Sequence, residues 1–285
     1  MLYLTLAVLC SVAVSVLLKV LRQKNIDIRQ TIVAGYPVAF LLTWILLQPD
    51  ISGISTLGNV WVIIIALGLL LPAVFVVLGR AIAAVGMVAT DAAQRLSLII
   101  PIIAAFLLFG EVLTATRTFG LLLGFLALGA LVYRPQSNIT NHSSKKTLQT
   151  PLWLFGVWVG YGIIDILFKQ VAKQGATFPL TLFVSFGLAG LLLFIYLLIT
   201  GVRWQSKALV AGLLLGALNM GNIYAYVRAH QVLSESPSIV FTGMNVGVIT
   251  VATLIGVGVF KESLNRINLL GIILAISCVA VLFLA

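Results

Sequence analysis

The chain has 285 residues, of which 61% are hydrophobic and only 8% charged, and it carries a formal net charge of +10. Soluble domains carry about 25% charged residues, so this composition excludes an ordinary soluble fold and indicates an integral membrane protein. The basic excess does not indicate nucleic acid as a partner, because the Lys and Arg residues are spread over the loops and mark orientation.

A membrane span needs roughly 20 mostly apolar residues. Ten runs qualify, at about 2–20, 31–48, 59–79, 86–109, 115–133, 152–172, 178–200, 208–228, 236–260 and 266–284. Backbone groups in lipid must be satisfied internally, and alternation at period two is absent, so the spans are expected to be helices. The first run, MLYLTLAVLCSVAVSVLL, has no basic residue before it, and Lys19, Arg22, Lys24 and Arg29 come after it. That order argues for a retained span rather than a cleaved signal peptide. Lys19 is expected to snorkel to the interface. Pro72 in the third run and Pro101 in the fourth predict kinks.

The fourth run places Asp91 and Arg95 in apolar surroundings, four residues apart and so on one helix face, with Thr90 and Gln94 beside them. A charge at a helix centre costs about 2.5–3.5 kcal/mol on insertion scales. The pair therefore either neutralises itself and orders the helix or meets substrate or protons in a wet interior. Glu111, in the short loop FGEVLT, and Glu262, in FKESLN, suit helix-end caps or partners of Arg117 and Arg266.

The polar stretch RPQSNITNHSSKKTLQT, residues 134–150, is the linker, and it holds two sequons, at Asn138 and Asn141. In the sixth run Asp165 is a second intramembrane acid, with Tyr161 one turn before it and Lys169 one turn after. A local Asp165–Lys169 ion pair and a functional acid are both open readings. Asn219, Asn222 and Tyr226 form a polar stripe on the eighth run, and Thr242 and Asn245 share a face of the ninth. Asn in a span is more often a helix–helix hydrogen bond than a ligand contact. Gly120/Gly124, Gly156/Gly160, Gly212/Gly216 and Gly243/Gly247 are small-residue pairs suited to close helix packing.

The two halves match. Residues 98–132 align with 249–283 at an offset of 151, pairing Glu111 with Glu262, Leu113 with Leu264 and Gly120 with Gly271. SVLLK at 15–19 aligns with DILFK at 165–169. Residues 1–133 and 151–285 are thus read as two five-helix repeats. Five is odd, so the second enters the membrane from the opposite side, an inverted repeat of the kind secondary transporters use. At the same offset Thr242 and Asn245 match Asp91 and Gln94, while Val246 replaces Arg95. One positive charge beside a polar pocket would suit a substrate with an anionic group.

Numbering the loops alternately, one face collects Lys19, Arg22, Lys24, Arg29, Arg80, Arg134, Lys145, Lys146, Arg203, Lys207, Lys261 and Arg266. The other collects Arg117, Lys169, Lys173 and Arg228. Positive residues stay in the cytoplasm, so both termini are expected outside.

Paired five-helix halves, a Pro in the fourth helix, the loops FGEVLT and FKESLN before Gly-rich closing helices, and NMGNIYAYVRA followed by SPSIVFTGMNVGV resemble the drug/metabolite transporter superfamily, EamA-like branch. The resemblance spans nearly the whole chain. It implies ten transmembrane helices around a central cavity formed by helices 1, 3 and 4 with 6, 8 and 9, alternating access of a small metabolite, and a place in the bacterial inner membrane. Members of that family keep their termini in the cytoplasm, whereas the charge bias here puts them outside.

The expected function is secondary transport of a small polar or amphiphilic metabolite, amino-acid-like or drug-like. The substrate-binding candidates are Asp91, Gln94, Arg95, Tyr161, Asp165, Asn219, Asn222, Tyr226, Thr242 and Asn245, with Asp91 and Asp165 as proton-coupling candidates. A passive channel and a lipid-modifying membrane enzyme are the alternatives. The enzyme reading lacks support: the histidines are His142 in the linker and His230 at a helix end, and no acid cluster has metal-ligand spacing. No glycine-rich nucleotide loop is present, which argues against an ATP-driven pump, and no cofactor is expected. Cys10 and Cys278 both fall in spans and imply no disulfide framework.

Overall fold

The computed structural model describes residues 2–52, 58, 60–85, 87–112, 114–132, 149–174, 177–259 and 265–284. The described residues fold into eleven helices: α1 (Leu2–Gln23), α2 (Ile28–Leu47), α3 (Val60–Val85), α4 (Met87–Leu96), α5 (Ile99–Leu107), α6 (Ala115–Val132), α7 (Gln149–Lys173), α8 (Phe178–Ile199), α9 (Ser206–Val232), α10 (Pro237–Gly258) and α11 (Arg266–Leu284). Among them α1, α2, α3, α7, α8, α9 and α10 are each long and apolar enough to cross a bilayer. The chain is therefore a multi-pass, all-helical membrane protein.

The apolar run at 86–109 forms two helices rather than one, and Pro101 explains the break. A proline has no N–H to give to residue i−4, and its ring crowds that carbonyl. The ladder therefore tightens before it. The Ile100 N–H turns to the Ser97 carbonyl at 3.0 Å, while the Ser97 hydroxyl bonds the Gln94 carbonyl at 2.6 Å. The Leu96 carbonyl is taken up by the indole N–H of Trp158 on α7, at 3.0 Å. Pro72 and Pro37 lie inside helices that continue past them.

The described chain divides into two compact units that each draw on both sequence halves. One comprises Met1–Val76 with Ile164–Ser234, the other Val77–Ile163 with Glu235–Ala285. In the first unit α9 packs along α2 and α1, and α2 packs on α8. Glycines permit the α2–α9 approach. A Cβ on Gly212 would stand 2.6 Å from the Thr31 carbonyl oxygen, and one on Gly216 would press into the Gly35 carbonyl. On the other side of α2, Phe40 stacks on Phe183 of α8 with ring centroids 4.0 Å apart.

A polar clasp locks the starts of α2 and α9 together. The Asp27 N–H bonds Gln205 Oε1 at 3.1 Å, Gln30 Nε2 bonds the Arg203 carbonyl at 2.8 Å, and the Gln205 N–H bonds Gln30 Oε1 at 2.7 Å. Asp27 also caps its own helix by accepting from the Arg29 N–H at 2.9 Å.

In the second unit α6 packs along α11, and α10 packs on α5, α6 and α11. Gly124 of α6 faces Thr242 of α10 and Cys278 of α11, where an added Cβ would meet the cysteine sulfur at 3.1 Å. Several helical hydroxyls bond carbonyls one turn back in their own helices. Thr43 bonds the Ala39 carbonyl, Thr250 that of Val246 and Thr253 that of Ile249, each at 2.7 Å. Exposed Leu and Ile side chains along α6, α8 and α9 give each unit an apolar outer surface suited to acyl chains.

Candidate functional site

In the first unit the site candidates converge on the seam between α7 and α9. Tyr226 donates its phenolic O–H to Asp165 Oδ1 at 3.1 Å. The Tyr226 ring is buried, edge-on to Phe168 at 6.2 Å and to His230 at 4.8 Å between centroids. Asn222, one turn before Tyr226 on α9, has a buried Oδ1 with no hydrogen-bond partner. Asn219 is half-buried one turn further back. The sequence stripe Asn219–Asn222–Tyr226 is thus a real face of α9, and its Tyr end meets the intramembrane acid.

Lys169 is almost fully buried, at 1% exposed, and its ammonium donates to the carbonyls of Ser234 at 2.9 Å and His230 at 3.4 Å. These carbonyls lie at the C-terminal end of α9, where backbone acceptors lack intrahelical donors and the helix dipole is negative. The lysine thus caps α9 from α7. Beside it opens a cavity of about 610 Å³, lined by Lys169, Ala172, Lys173, Phe178, Pro179, Arg228, His230, Gln231 and Ser234. Lys169 and His230 are each four residues, or about one helical turn, beyond Asp165 and Tyr226. Reading along the chain does not reveal this cavity, because its lining comes from three helix ends.

In the second unit the candidates are more dispersed. Asp91 belongs to α4, but its side chain lies outside the described residues. Gln94 and Arg95 are half-buried in the last turn of α4, where the helix breaks. Tyr161 is half-buried on α7. Thr242 is buried on α10, and its Oγ1 has no hydrogen-bond partner. Asn245 turns back on its own helix, Nδ2 to the Phe241 carbonyl at 3.1 Å.

Glu111 serves in both roles the sequence offers it. Its carboxylate accepts from the Ser238 backbone N–H at 2.9 Å and from the Ser238 hydroxyl, at the start of α10. It also faces Arg117 Nη1 at 3.4 Å, and Arg117 Nη2 donates to Ser236 Oγ at 2.7 Å. Its sequence counterpart Glu262 lies outside the described residues. No set of three metal-ligating side chains gathers among the described residues.

No family model matches the chain. It aligns over 99% of its length with a crystal structure, 96% of which it covers, at a TM-score of 0.70 and 13% sequence identity, a likeness of fold alone. It is also 47% identical over 282 residues to an uncharacterized protein of Haemophilus influenzae, covering 97% of this chain and 96% of that one. At that identity, and end to end, the chain belongs to the same family of multi-pass membrane proteins as the Haemophilus influenzae protein.

Proposed function

We propose that this protein is a secondary transporter of the drug/metabolite type, EamA-like, with ten membrane crossings in two inverted five-helix repeats. It moves a small polar or amphiphilic metabolite by alternating access. The observation that carries the reading is the Asp165–Tyr226 pair: an acid held by a phenol between two membrane helices. Intramembrane acids are costly and mark substrate or proton pathways.

The crossing count gains support from parity. Glu111, just after α5, is bonded to Ser238 at the start of α10, so both lie on one side of the membrane. Between them run α6 and the three long helices α7, α8 and α9. An even number of crossings is reached if α6 is the fourth. The α2–α9 clasp likewise places the loops before α2 and α9 on one side. Between these run α2, α3, α6, α7, α8 and the broken pair α4–α5, and the count is even if the pair crosses once. With α1, α9, α10 and the apolar α11 the total is then ten.

The repeat also gains support, since helices that correspond at the sequence offset pack on each other. These are α2 with α8 in one unit, and α6 with α11 and α5 with α10 in the other. The charge bias supports outward termini in a bacterial inner membrane. Asp165 and Asp91 are the candidates for a coupling proton, and Gln94, Arg95, Tyr161, Asn219, Asn222, Tyr226, Thr242 and Asn245 for substrate contact.

The test is reconstitution in vesicles, with substrate found by thermal-shift screening of metabolites. Wild type should accumulate the hit when a pH gradient is imposed. Asp165→Asn should lose the gradient dependence yet retain exchange of labelled for unlabelled substrate. A folded, vesicle-inserted protein that exchanges no screened hit would remove the transporter reading.

A further inference from the structure

The Asp165–Tyr226 pair and the cavity beside Lys169 follow one another along the same two helices, α7 and α9, within the first unit. Asp165 and Tyr226 meet in one layer. One turn further along both helices Lys169 meets His230, and there the cavity opens. We propose that the rings of Phe168, Tyr226 and His230 form a closed gate between this cavity and Asp165, latched by the Tyr226–Asp165 hydrogen bond and released when a substrate takes the carboxylate. The part given to the substrate rests on the transporter reading above, whereas the gate and its latch do not.

Three observations carry the gate. First, the layer between cavity and acid is aromatic and dry. Phe168, Tyr226 and His230 are 5%, 4% and 1% exposed, whereas Asp165 is half-buried. Tyr226 is edge-on to both neighbours, its centroid 6.2 Å from Phe168 and 4.8 Å from His230. Edge-to-face contacts of this kind are favourable and set ring orientation, so rings from α7 and α9 close the seam together. Second, His230 belongs to the cavity wall and Tyr226 does not. The imidazole therefore stands with the cavity on one side and the phenol on the other. Third, the phenol is tied to the acid that the gate covers, through its donation to Asp165 Oδ1 at 3.1 Å.

That bond links binding at the acid to access from the cavity. A hydrogen bond to a carboxylate is roughly twice as strong as one between neutral groups, so the phenol is held while Asp165 is unoccupied. A substrate group that engages Asp165 competes with the phenol for the same oxygens, and the Tyr226 ring then retains only its aromatic contacts. A ligand shifts a closed–open balance only by what it gains differently in the two states, and here that difference is the phenol bond. Lys169 fixes the far edge of the gate. Its ammonium holds the His230 carbonyl at 3.4 Å and the Ser234 carbonyl at 2.9 Å, anchoring the backbone that carries the imidazole. The gate thus opens by side-chain movement of Tyr226, with α9 held in place.

The experiment measures thiol labelling in the full-length, membrane-inserted protein, with Cys10 and Cys278 replaced by Ala. One reporter, Lys173→Cys, sits at the cavity, where Lys173 is exposed. The other, Asn222→Cys, sits one turn before Tyr226, on the far side of the gate. A membrane-impermeant methanethiosulfonate sulfonate is applied to the face from which Lys173→Cys is labelled. With the gate intact, Asn222→Cys should react far more slowly than Lys173→Cys. Tyr226→Phe keeps the ring and removes the latch, and should speed labelling of Asn222→Cys about tenfold, the loss of a hydrogen bond to a charged group. Asp165→Asn leaves a neutral acceptor and should speed it about threefold. Labelling of Lys173→Cys at one rate in every background shows that the fold is kept. If Asn222→Cys reacts as fast as Lys173→Cys with the gate intact, no gate exists. If neither Tyr226→Phe nor Asp165→Asn changes its rate, the hydrogen bond is no latch, and either result overturns the proposal. The labelling needs no substrate, so it and the vesicle assay fail separately.

Discussion

Two buried charges sit at consecutive helix ends, and they are handled differently. Lys169 holds the C-terminal carbonyls of α9, and Glu111 holds the N-terminal amide of α10. Each matches the sign of the helix dipole it meets. Glu111, however, is enclosed with its own counter-ion: its side chain is fully buried and Arg117 stands 3.4 Å away. Lys169 instead opens onto a cleft that adds Lys173 and Arg228. The first arrangement is an enclosed ion pair, while the second forms part of a cavity wall. The same capping device can thus sit inside an ion pair or at the wall of a cavity, depending on what surrounds it.

Breaking each cap separates these roles. Removing one partner of a buried ion pair costs about 3–5 kcal/mol, so Glu111→Ala should lose that much stability, measured by denaturation in mixed micelles. Lys169→Met removes the donor to the His230 and Ser234 carbonyls, at about 1–3 kcal/mol. If Lys169→Met proves as damaging as Glu111→Ala, Lys169 is as purely structural as Glu111 and the contrast fails.

The second comparison lies within the first unit, between the α9 face that touches α2 and the one that touches α7. The first is backbone against backbone at Gly212 and Gly216, and the second is side chain against side chain at Tyr226 and Asp165. Overpacking a tight seam costs typically about 1–3 kcal/mol. Gly216→Leu meets the Gly35 backbone, which cannot rotate away as a side chain would. It should lower the unfolding temperature and deplete folded protein in the membrane. An unchanged melting curve for Gly216→Leu would mean that α2 and α9 do not meet as described.

Much of this was legible in the sequence, and the parts that were not share a cause. Span positions follow from apolar run length, the break in the fourth run was signalled as a kink at Pro101, and the Gly212/Gly216 pair marked a close seam. Of the polar stripe Asn219–Asn222–Tyr226 on α9, Tyr226 bonds Asp165. What spacing along one helix does not encode is which face of another helix it meets. Tyr226 finds Asp165 across 61 residues, Trp158 finds the Leu96 carbonyl across 62, and Glu111 finds Ser238 across 127. For the same reason Lys169, four residues from Asp165, reads in sequence as its ion-pair partner, yet its ammonium also reaches carbonyls 61 and 65 residues away. The cleft was invisible because α7, α8 and α9 each contribute only a few of its residues.

The smallest effect concerns a second pair of carboxylates at helix N-termini, Glu111 at α10 and Asp27 at α2. Asp27 caps from the adjacent position and stays partly exposed, with Arg29 Nη2 at 2.9 Å. Burial pushes the Asp27 carboxyl up, but hydrogen bonds from the Arg29 side chain and backbone outweigh it and hold it below its ordinary value of 3.8. A carboxylate depressed by folding contributes stability above its unfolded pKa and loses it as pH falls through the folded one. Asp27→Ala should therefore cost about 1 kcal/mol at pH 7, a typical N-cap loss. The difference from wild type should shrink as the pH is lowered below 3.8, where the native carboxyl begins to take up its proton. Thermal melts of both proteins from pH 7 down to pH values below that point provide the check. A gap that stayed constant with pH would mean that the Asp27 charge contributes nothing and that the cap rests on its hydrogen-bond geometry alone.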